Sequence, residues 1–266
     1  MEIISKIFEY PFALRAVIVG ILLCCCSALI GVNLVLKRYS MLGDGLSHVS
    51  FGAAAIALAL GIAPLRFSMP LVIIAAFLLL RINENGKIKG DAAISVVSTS
   101  ALAIGITVAN LTTGMNTDIS NYMFGSILAL SKEDVIFTMV VSVFVIMLYI
   151  LFYNKIFSSS FDGKFAVSSG VNVKFYNGLS AVLTAVTVVV GMRIMGALLI
   201  SSIITFPVLS AMRVTKRYRS TVILSVIISV FSFLIGILLS FTFDIPAGAA
   251  VVITNLAVFL ILNCFS

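Results

Sequence analysis

The sequence predicts an all-α fold: a polytopic helical bundle in a lipid bilayer, with about 8–9 transmembrane helices. Three observations carry that reading. The 266 residues are 61% hydrophobic and only 10% charged, with a mean hydropathy of +1.23, whereas a water-soluble domain carries roughly 25% charged residues. Apolar runs long enough to cross a hydrocarbon core of about 30 Å recur along the whole chain. None of them sustains the period-2 alternation of a membrane β-strand, which leaves helices to satisfy the backbone N–H and C=O groups in lipid. Residues 1–266 therefore read as a single integral membrane domain.

A crossing needs about 20 apolar residues, and that ruler places spans near residues 14–36, 45–62, 64–80, 91–112, 134–153, 176–191, 193–213, 219–241 and 245–263. The first run is too long for a signal-peptide core, has little charge before it and lacks a small-x-small cleavage site, so it reads as a retained span. Cys24, Cys25 and Cys26 within it fan over roughly 200° of helix and cannot converge on one metal. Together with Cys264 they show no disulfide spacing and read as packing residues. Ala63-Pro64 separates the second and third spans, and Gly191 to Gly196 the sixth and seventh. Asp91, Asp134 and Asp244 each precede an apolar run, where a carboxylate suits a helix N-terminus.

The net charge of +7 would suggest a polyanion partner in a soluble protein, but here Lys and Arg report topology first, and no nucleic acid is indicated. With the N-terminus outside, Lys37, Arg38, Arg81, Lys87, Lys89, Lys155, Lys164, Lys174, Arg213, Lys216, Arg217 and Arg219 fall on the cytoplasmic side. Lys6, Arg15, Arg66, Lys132 and Arg193 fall on the other. A bias of 12 to 5 favours an external N-terminus, a cytoplasmic C-terminus and an odd number of spans.

No phosphate-binding loop is present: the one Gly-Lys pair, Gly86-Lys87, is followed by Ile88. The chain is read as a transport subunit rather than an enzyme, and ATP, if used, is bound by another chain. The longest interior loop, 154–175, is cytoplasmic by the charge argument. Within it Ala166, Ser169 and Gly170, flanked by Phe165 and Val171, suit a short helix and turn that docks into a partner's groove; a solvated connector fits the local features equally well.

The chemistry concentrates in Gly43-Asp44-Gly45-Leu46-Ser47-His48, which holds the only histidine of the chain. On a helix the i, i+4 spacing sets Asp44 and His48 on one face, about 5–6 Å apart at Cβ, so carboxylate and imidazole can grip one cation. Ionisable groups near membrane depth are costly unless they face a cavity or a ligand, which favours a functional reading. The structural alternative has Asp44 capping the span and His48 bonding a backbone carbonyl. Gly43, Gly45 and Gly52 allow local unwinding or close helix approach around the pair.

Two ligands are too few for Zn²⁺, which normally takes four. Two copies facing each other across a two-fold axis would supply two Asp44 and two His48 and neutralise a divalent ion. The donor set suits Zn²⁺, tolerates Mn²⁺ or Fe²⁺, and lacks the thiolate that Cu⁺ favours. Elsewhere, Asn33, Asn110 and Asn255 read as interhelical hydrogen-bond partners, and Met192 and Met195 as packing or interface residues. Asp118 and Glu133 could form an acidic entrance, with a solvated face as the default.

In the segment from Leu36-Lys37-Arg38-Tyr39-Ser40 through Gly43-Asp44-Gly45-Leu46-Ser47-His48, the chain resembles the permease subunits of bacterial zinc and manganese ABC importers. Three further stretches carry the resemblance in the same order: Tyr122 to Leu128, Gly196 to Ser202 with Pro207, and Phe243-Asp244-Ile245-Pro246-Ala247-Gly248-Ala249. One departure is Pro207-Val208-Leu209, where such permeases often have Pro-Ala-Ala. The resemblance implies a homodimer in the bacterial inner membrane, two cytoplasmic ATP-binding-cassette ATPase subunits and an extracellular metal-binding protein. It implies an intramembrane metal site at Asp44 and His48, and an ATPase-coupling segment from Asp162 to Asn172 centred on Ala166 and Gly170. The divalent ion, zinc placed first and manganese second, is transported cargo; no permanently bound cofactor is expected. An ATP-independent secondary carrier or channel using Asp44 and His48 as a proton-linked relay is the rival reading, and an intramembrane hydrolase ranks below both for want of a nucleophile motif.

Overall fold

A computed structural model describes residues 11–84, 90–112, 125 and 132–264. The described chain runs through α1 (Pro11–Leu36), α2 (Met41–Ala59), α3 (Pro64–Glu84), α4 (Gly90–Leu111), α5 (Lys132–Leu151), α6 (Tyr153–Phe161), α7 (Gly163–Ser168), α8 (Val173–Met195), α9 (Ala197–Val214), α10 (Tyr218–Phe243) and α11 (Ala247–Cys264). Among the described residues nine of these helices are long and apolar enough to cross a membrane, and only α6 and α7 are not.

The spans follow the apolar runs because bilayer thickness sets their length, but several boundaries move: α3 runs on to Glu84 instead of ending at 80, and α9 begins at Ala197 instead of 193. α2 begins at Met41 instead of residue 45, and α8 extends over Val173–Met195 instead of 176–191. The early start of α2 has a local cause. Arg38 adopts a left-handed conformation, φ 61°, while Arg38 N donates to Val35 O at 3.0 Å and Tyr39 N to Leu34 O at 2.7 Å. This paired bonding closes the end of α1 in the Schellman pattern, usually built on glycine. Leu42 N then donates to Tyr39 O at 2.9 Å, so the chain reverses at once and Asp44 enters the helix.

Burial sorts the bundle into layers. Of the most apolar window in each span, 78% is buried in α8, 72% in α2 and 67% in α1, against 28% in α3, α4, α5 and α11. The first three form the interior, and the last four present apolar side chains outward. α5 shows what such a position asks of a sequence: Ile136, Val140, Val143, Phe144 and Ile150 are exposed, while Val135, Thr138, Ser142, Val145 and Tyr149 are buried. Its polar groups face inward because lipid offers them no partner.

α2 lies against α4 and α3 and also touches α8 and α9. Its glycines give close approach, not unwinding, since the helix is continuous from Met41 to Ala59. A Cβ on Gly45 would stand 2.5 Å from Ile94 Cγ2, and one on Gly52 2.5 Å from the Ala101 carbonyl oxygen, both on α4.

Asp91 and Asp134 occupy the first turns of α4 and α5, as the sequence reading expected. Asp244 instead ends α10 in the left-handed conformation, its N–H bonded to Ser240 O, because α11 begins only at Ala247. Cys24 and Cys26 are buried and all four cysteines are free. Met192 and Met195 are buried core residues. Asp118, Lys6, Lys87, Lys89 and the Tyr122 to Leu128 stretch other than Gly125 lie outside the described residues.

Candidate functional site

Helix geometry brings Asp44 and His48 together as their spacing requires, with His48 Nε2 3.7 Å from Asp44 Oδ2. That separation exceeds a hydrogen bond. It is close to the edge of a tetrahedral coordination shell, since two donor atoms each about 2.1 Å from one ion stand about 3.4 Å apart. The capping alternative does not describe the site: Ser40 is the N-cap of α2 and its side chain makes no cap bond. Ser47 Oγ donates to the Asp44 carbonyl oxygen at 2.7 Å, which ties the Asp44 turn.

Exposure decides what the pair can reach. Every residue of α2 from Leu42 to Ala55 is buried except Asp44 and His48, whose side chains are 46% and 26% exposed. Met41, on the same helical face, is 55% exposed. The two chemically active groups thus form an exposed notch in an otherwise buried stretch of α2. Among the described residues no group of three or more His, Cys, Asp or Glu side chains converges, so Asp44 and His48 stand as a pair.

The 154–175 segment forms two short helices. Asp162, in extended conformation, caps α7: its Oδ1 accepts from Lys164 N and Phe165 N, each at 3.0 Å. Asn172 caps α8 by accepting from Phe175 N at 3.2 Å. Gly170, φ 78°, closes α7 as Val171 N donates to Ala166 O at 2.9 Å and Gly170 N to Val167 O at 3.0 Å, a Schellman stop. Ala166 is wholly buried, so it seats α7 on its own bundle. The groups that α7 offers outward are Phe165 and Val167, 64% and 63% exposed. Of the residues expected to form a coupling segment, Asp162 and Gly170 sit at the two ends of α7 and Ala166 lies beneath it. Asp162, Ala166 and Gly170 build the segment's shape, and Phe165 and Val167 give it a surface.

Other polar candidates separate. Asn33 joins a buried interhelical network with Tyr149 and Tyr218. Asn110 is exposed, and Asn255 is buried with neither amide atom bonded to a described residue. Arg193 Nη2 donates to Asp134 Oδ2 at 3.0 Å, joining the end of α8 to the start of α5. Glu133, Asp134 and Arg66 line a cleft of about 790 Å³ between α3 and α5.

Comparison with known proteins gives a consistent set of relatives. The family described as ABC 3 transport family matches residues 9–266. The manganese transport system membrane protein MntC of Listeria monocytogenes is 28% identical over 266 residues, covering 100% of this chain and 95% of the relative. The high-affinity zinc uptake system membrane protein ZnuB of Haemophilus influenzae is 29% identical, covering 96% and 97%. In structure, a chain of PsaBC from Streptococcus pneumoniae, solved in complex with Fab, superposes with a TM-score of 0.87 at 28% identity, over 98% of this chain and 94% of that one.

Proposed function

The chain belongs to the ABC 3 transport family, and from that premise we propose that it imports a divalent transition-metal ion as one of two identical permease subunits driven by separate ATPases. It is a multi-pass protein of the bacterial inner membrane, and ATP hydrolysis resides in another chain.

The observation that carries the metal reading is the notch on α2. Asp44 and His48 stand 3.7 Å apart on a stretch of α2 that is otherwise buried, and both side chains are partly exposed. A second copy related by a two-fold axis supplies the same pair, giving two carboxylates and two imidazoles. Four such ligands replace the hydration shell lost on entry, and the two negative charges neutralise a divalent ion in a medium that penalises net charge. The N-terminus lies outside, which puts α6 and α7 in the cytoplasm, where Phe165 and Val167 meet the ATPase. An external metal-binding protein delivers the ion, and closure of the ATPases switches the dimer from outward-open to inward-open.

Zinc is the proposed cargo, because a site of two imidazoles and two carboxylates satisfies tetrahedral coordination without further ligands. Manganese is the second reading, favoured by the relative named for manganese transport at 28% identity over the full chain. The test is uptake of radiolabelled zinc and, separately, manganese into cells lacking their own high-affinity importers, with wild type and Asp44→Asn, each with and without the cognate ATPase. Uptake that needs both the ATPase and Asp44 is the expected result, and it names the ion. Flux without the ATPase would replace this reading with the secondary carrier.

A further inference from the structure

Where α6 meets the bundle, three side chains close a ring of hydrogen bonds. Tyr218 OH on α10 donates to Asn33 Oδ1 on α1 at 2.8 Å. Asn33 Nδ2 donates to Tyr149 OH on α5 at 3.4 Å. The two phenol oxygens are 2.8 Å apart. Tyr218 has spent its one proton on Asn33, so Tyr149 is the donor in that third bond. Each member donates once and accepts once, and three helices distant in sequence are joined at one buried point.

The ring has mechanical neighbours on both sides. Towards the cytoplasmic segment, the Phe157 ring of α6 lies 4.4 Å from that of Tyr218 between centroids, and Tyr153 lies 5.5 Å from Tyr218. Ile156, wholly buried, packs in one cluster with Tyr149 and Tyr176. α6 leads into α7 through the Asp162 cap. Towards the metal helix, the Asn33 carbonyl oxygen accepts from Lys37 N at 3.0 Å. The turn that follows is fixed by the bonds from Arg38 and Tyr39 back to α1, and Lys37 Nζ donates to Asn177 Oδ1 on α8. This braced turn delivers the chain directly into α2 and Asp44.

We propose that the Asn33–Tyr149–Tyr218 ring is a coupling clamp that carries displacement of α6 and α7 to the α1–α2 turn, and so to Asp44. It rests on the reading of α7 as the ATPase-docking helix. The physical reason is cooperativity: opening the ring leaves buried donors and acceptors without partners, and each pays its full desolvation penalty. The three helices therefore move together or the ring breaks, which is the two-arrangement behaviour that transmits a displacement through a packed interior. Tyr149, Tyr218 and Asn33 are positioning residues; none lies on the α2 notch.

The test uses the complete transporter, permease with its ATPase and metal-binding protein, in liposomes, and reads metal taken up per ATP hydrolysed. Tyr218→Phe keeps the ring packed on Phe157 and removes only the hydroxyl. Phe157→Leu is a second variant outside the spans. Both are expected to retain bound ATPase and ongoing ATP hydrolysis while uptake per ATP falls roughly tenfold, the factor that 1.4 kcal/mol makes. A wild-type ratio in both variants overturns the clamp, even where melting temperature drops, because a merely structural role lowers the amount of active transporter and leaves the ratio alone. Phe165→Glu, run alongside, separates the two readings. If that variant keeps its ATPase, the docking reading falls and the proposal with it. If it loses its ATPase while Tyr218→Phe and Phe157→Leu keep the wild-type ratio, the clamp alone is overturned.

Discussion

Gly52 on α2 approaches the carbonyl oxygen of Ala101 on α4 so closely that a Cβ at Gly52 would stand 2.5 Å away. The obstacle is backbone and cannot rotate aside. From α4, Gly105 meets the same glycine, with a hypothetical Cβ 2.9 Å from Gly52 Cα. The most extensive helix contact in the bundle thus depends on two facing residues without side chains, and it holds the helix that carries Asp44 and His48.

Gly52→Ala should therefore force α2 and α4 apart, at a cost of about 1–3 kcal/mol as in other overpacked interiors. Gly163→Ala is the control: a Cβ there meets nothing nearer than 3.9 Å, and the change should stay within about 0.5 kcal/mol. Thermal melting of the purified protein in detergent reads both. Equal melting temperatures for the two variants would show that the α2–α4 contact can relax, and the close approach would lose its structural role.

A second expectation concerns Arg193 and Asp134, bonded at 3.0 Å with side chains 29% and 18% exposed. Asp134→Asn or Arg193→Gln should each destabilise by about 1–2 kcal/mol, since each leaves a partly buried charge with a poorer partner. The double variant should cost less than the sum, with a coupling energy of about 0.5 kcal/mol or more. Additive losses in a melting series would mean that the pair contributes nothing beyond its separate contacts.

What the sequence made legible follows the range of the forces involved. Bilayer thickness and helix periodicity act within about 20 residues, so nine spans and the Asp44–His48 pair were readable from local pattern. Asn33 was readable as a hydrogen-bonding residue, but its partners Tyr149 and Tyr218 lie 116 and 185 positions away, and only helix packing brings them together. Ala166 is wholly buried, and its small size alone does not say which face of the six-residue α7 turns inward. Asp162 sits in the expected segment, yet its visible role is to cap α7. Asp244 precedes an apolar run as expected, but the two residues left before α11 place it at the end of α10.

The burial pattern of α7 gives a third prediction. Phe165→Ala should leave melting unchanged and weaken ATPase binding by about 2 kcal/mol or more, as for an apolar anchor at the centre of an interface. Ala166→Leu should do the reverse in origin: overpacking beneath α7 costs about 1–3 kcal/mol of stability, and ATPase binding falls only as far as the helix is displaced. Melting curves together with a titration of ATPase onto the permease separate the cases. Tight binding by Phe165→Ala would count against α7 as the helix that meets the ATPase.

The proposed pairing of two α2 helices across a two-fold axis gives the last prediction. In a two-fold interface, residues close to the axis face their own counterparts. Met41 is 55% exposed and lies three and seven residues before Asp44 and His48, on the same helical face, so it should approach the partner's copy one turn from the metal. Met41→Cys, in a background where Cys25 and Cys264 are replaced by serine, should link two permease chains through a short bifunctional maleimide. Val96→Cys is the contrast: Val96 is 65% exposed on α4, the outward layer, and should stay monomeric on a denaturing gel. Zinc present during the reaction should change the Met41→Cys yield and leave Val96→Cys untouched, because only the first sits beside Asp44 and His48, the proposed ligands. Efficient linking at Val96 with none at Met41 would place the two-fold axis against α4, and Asp44 and His48 would then need their remaining ligands from a source other than a second α2.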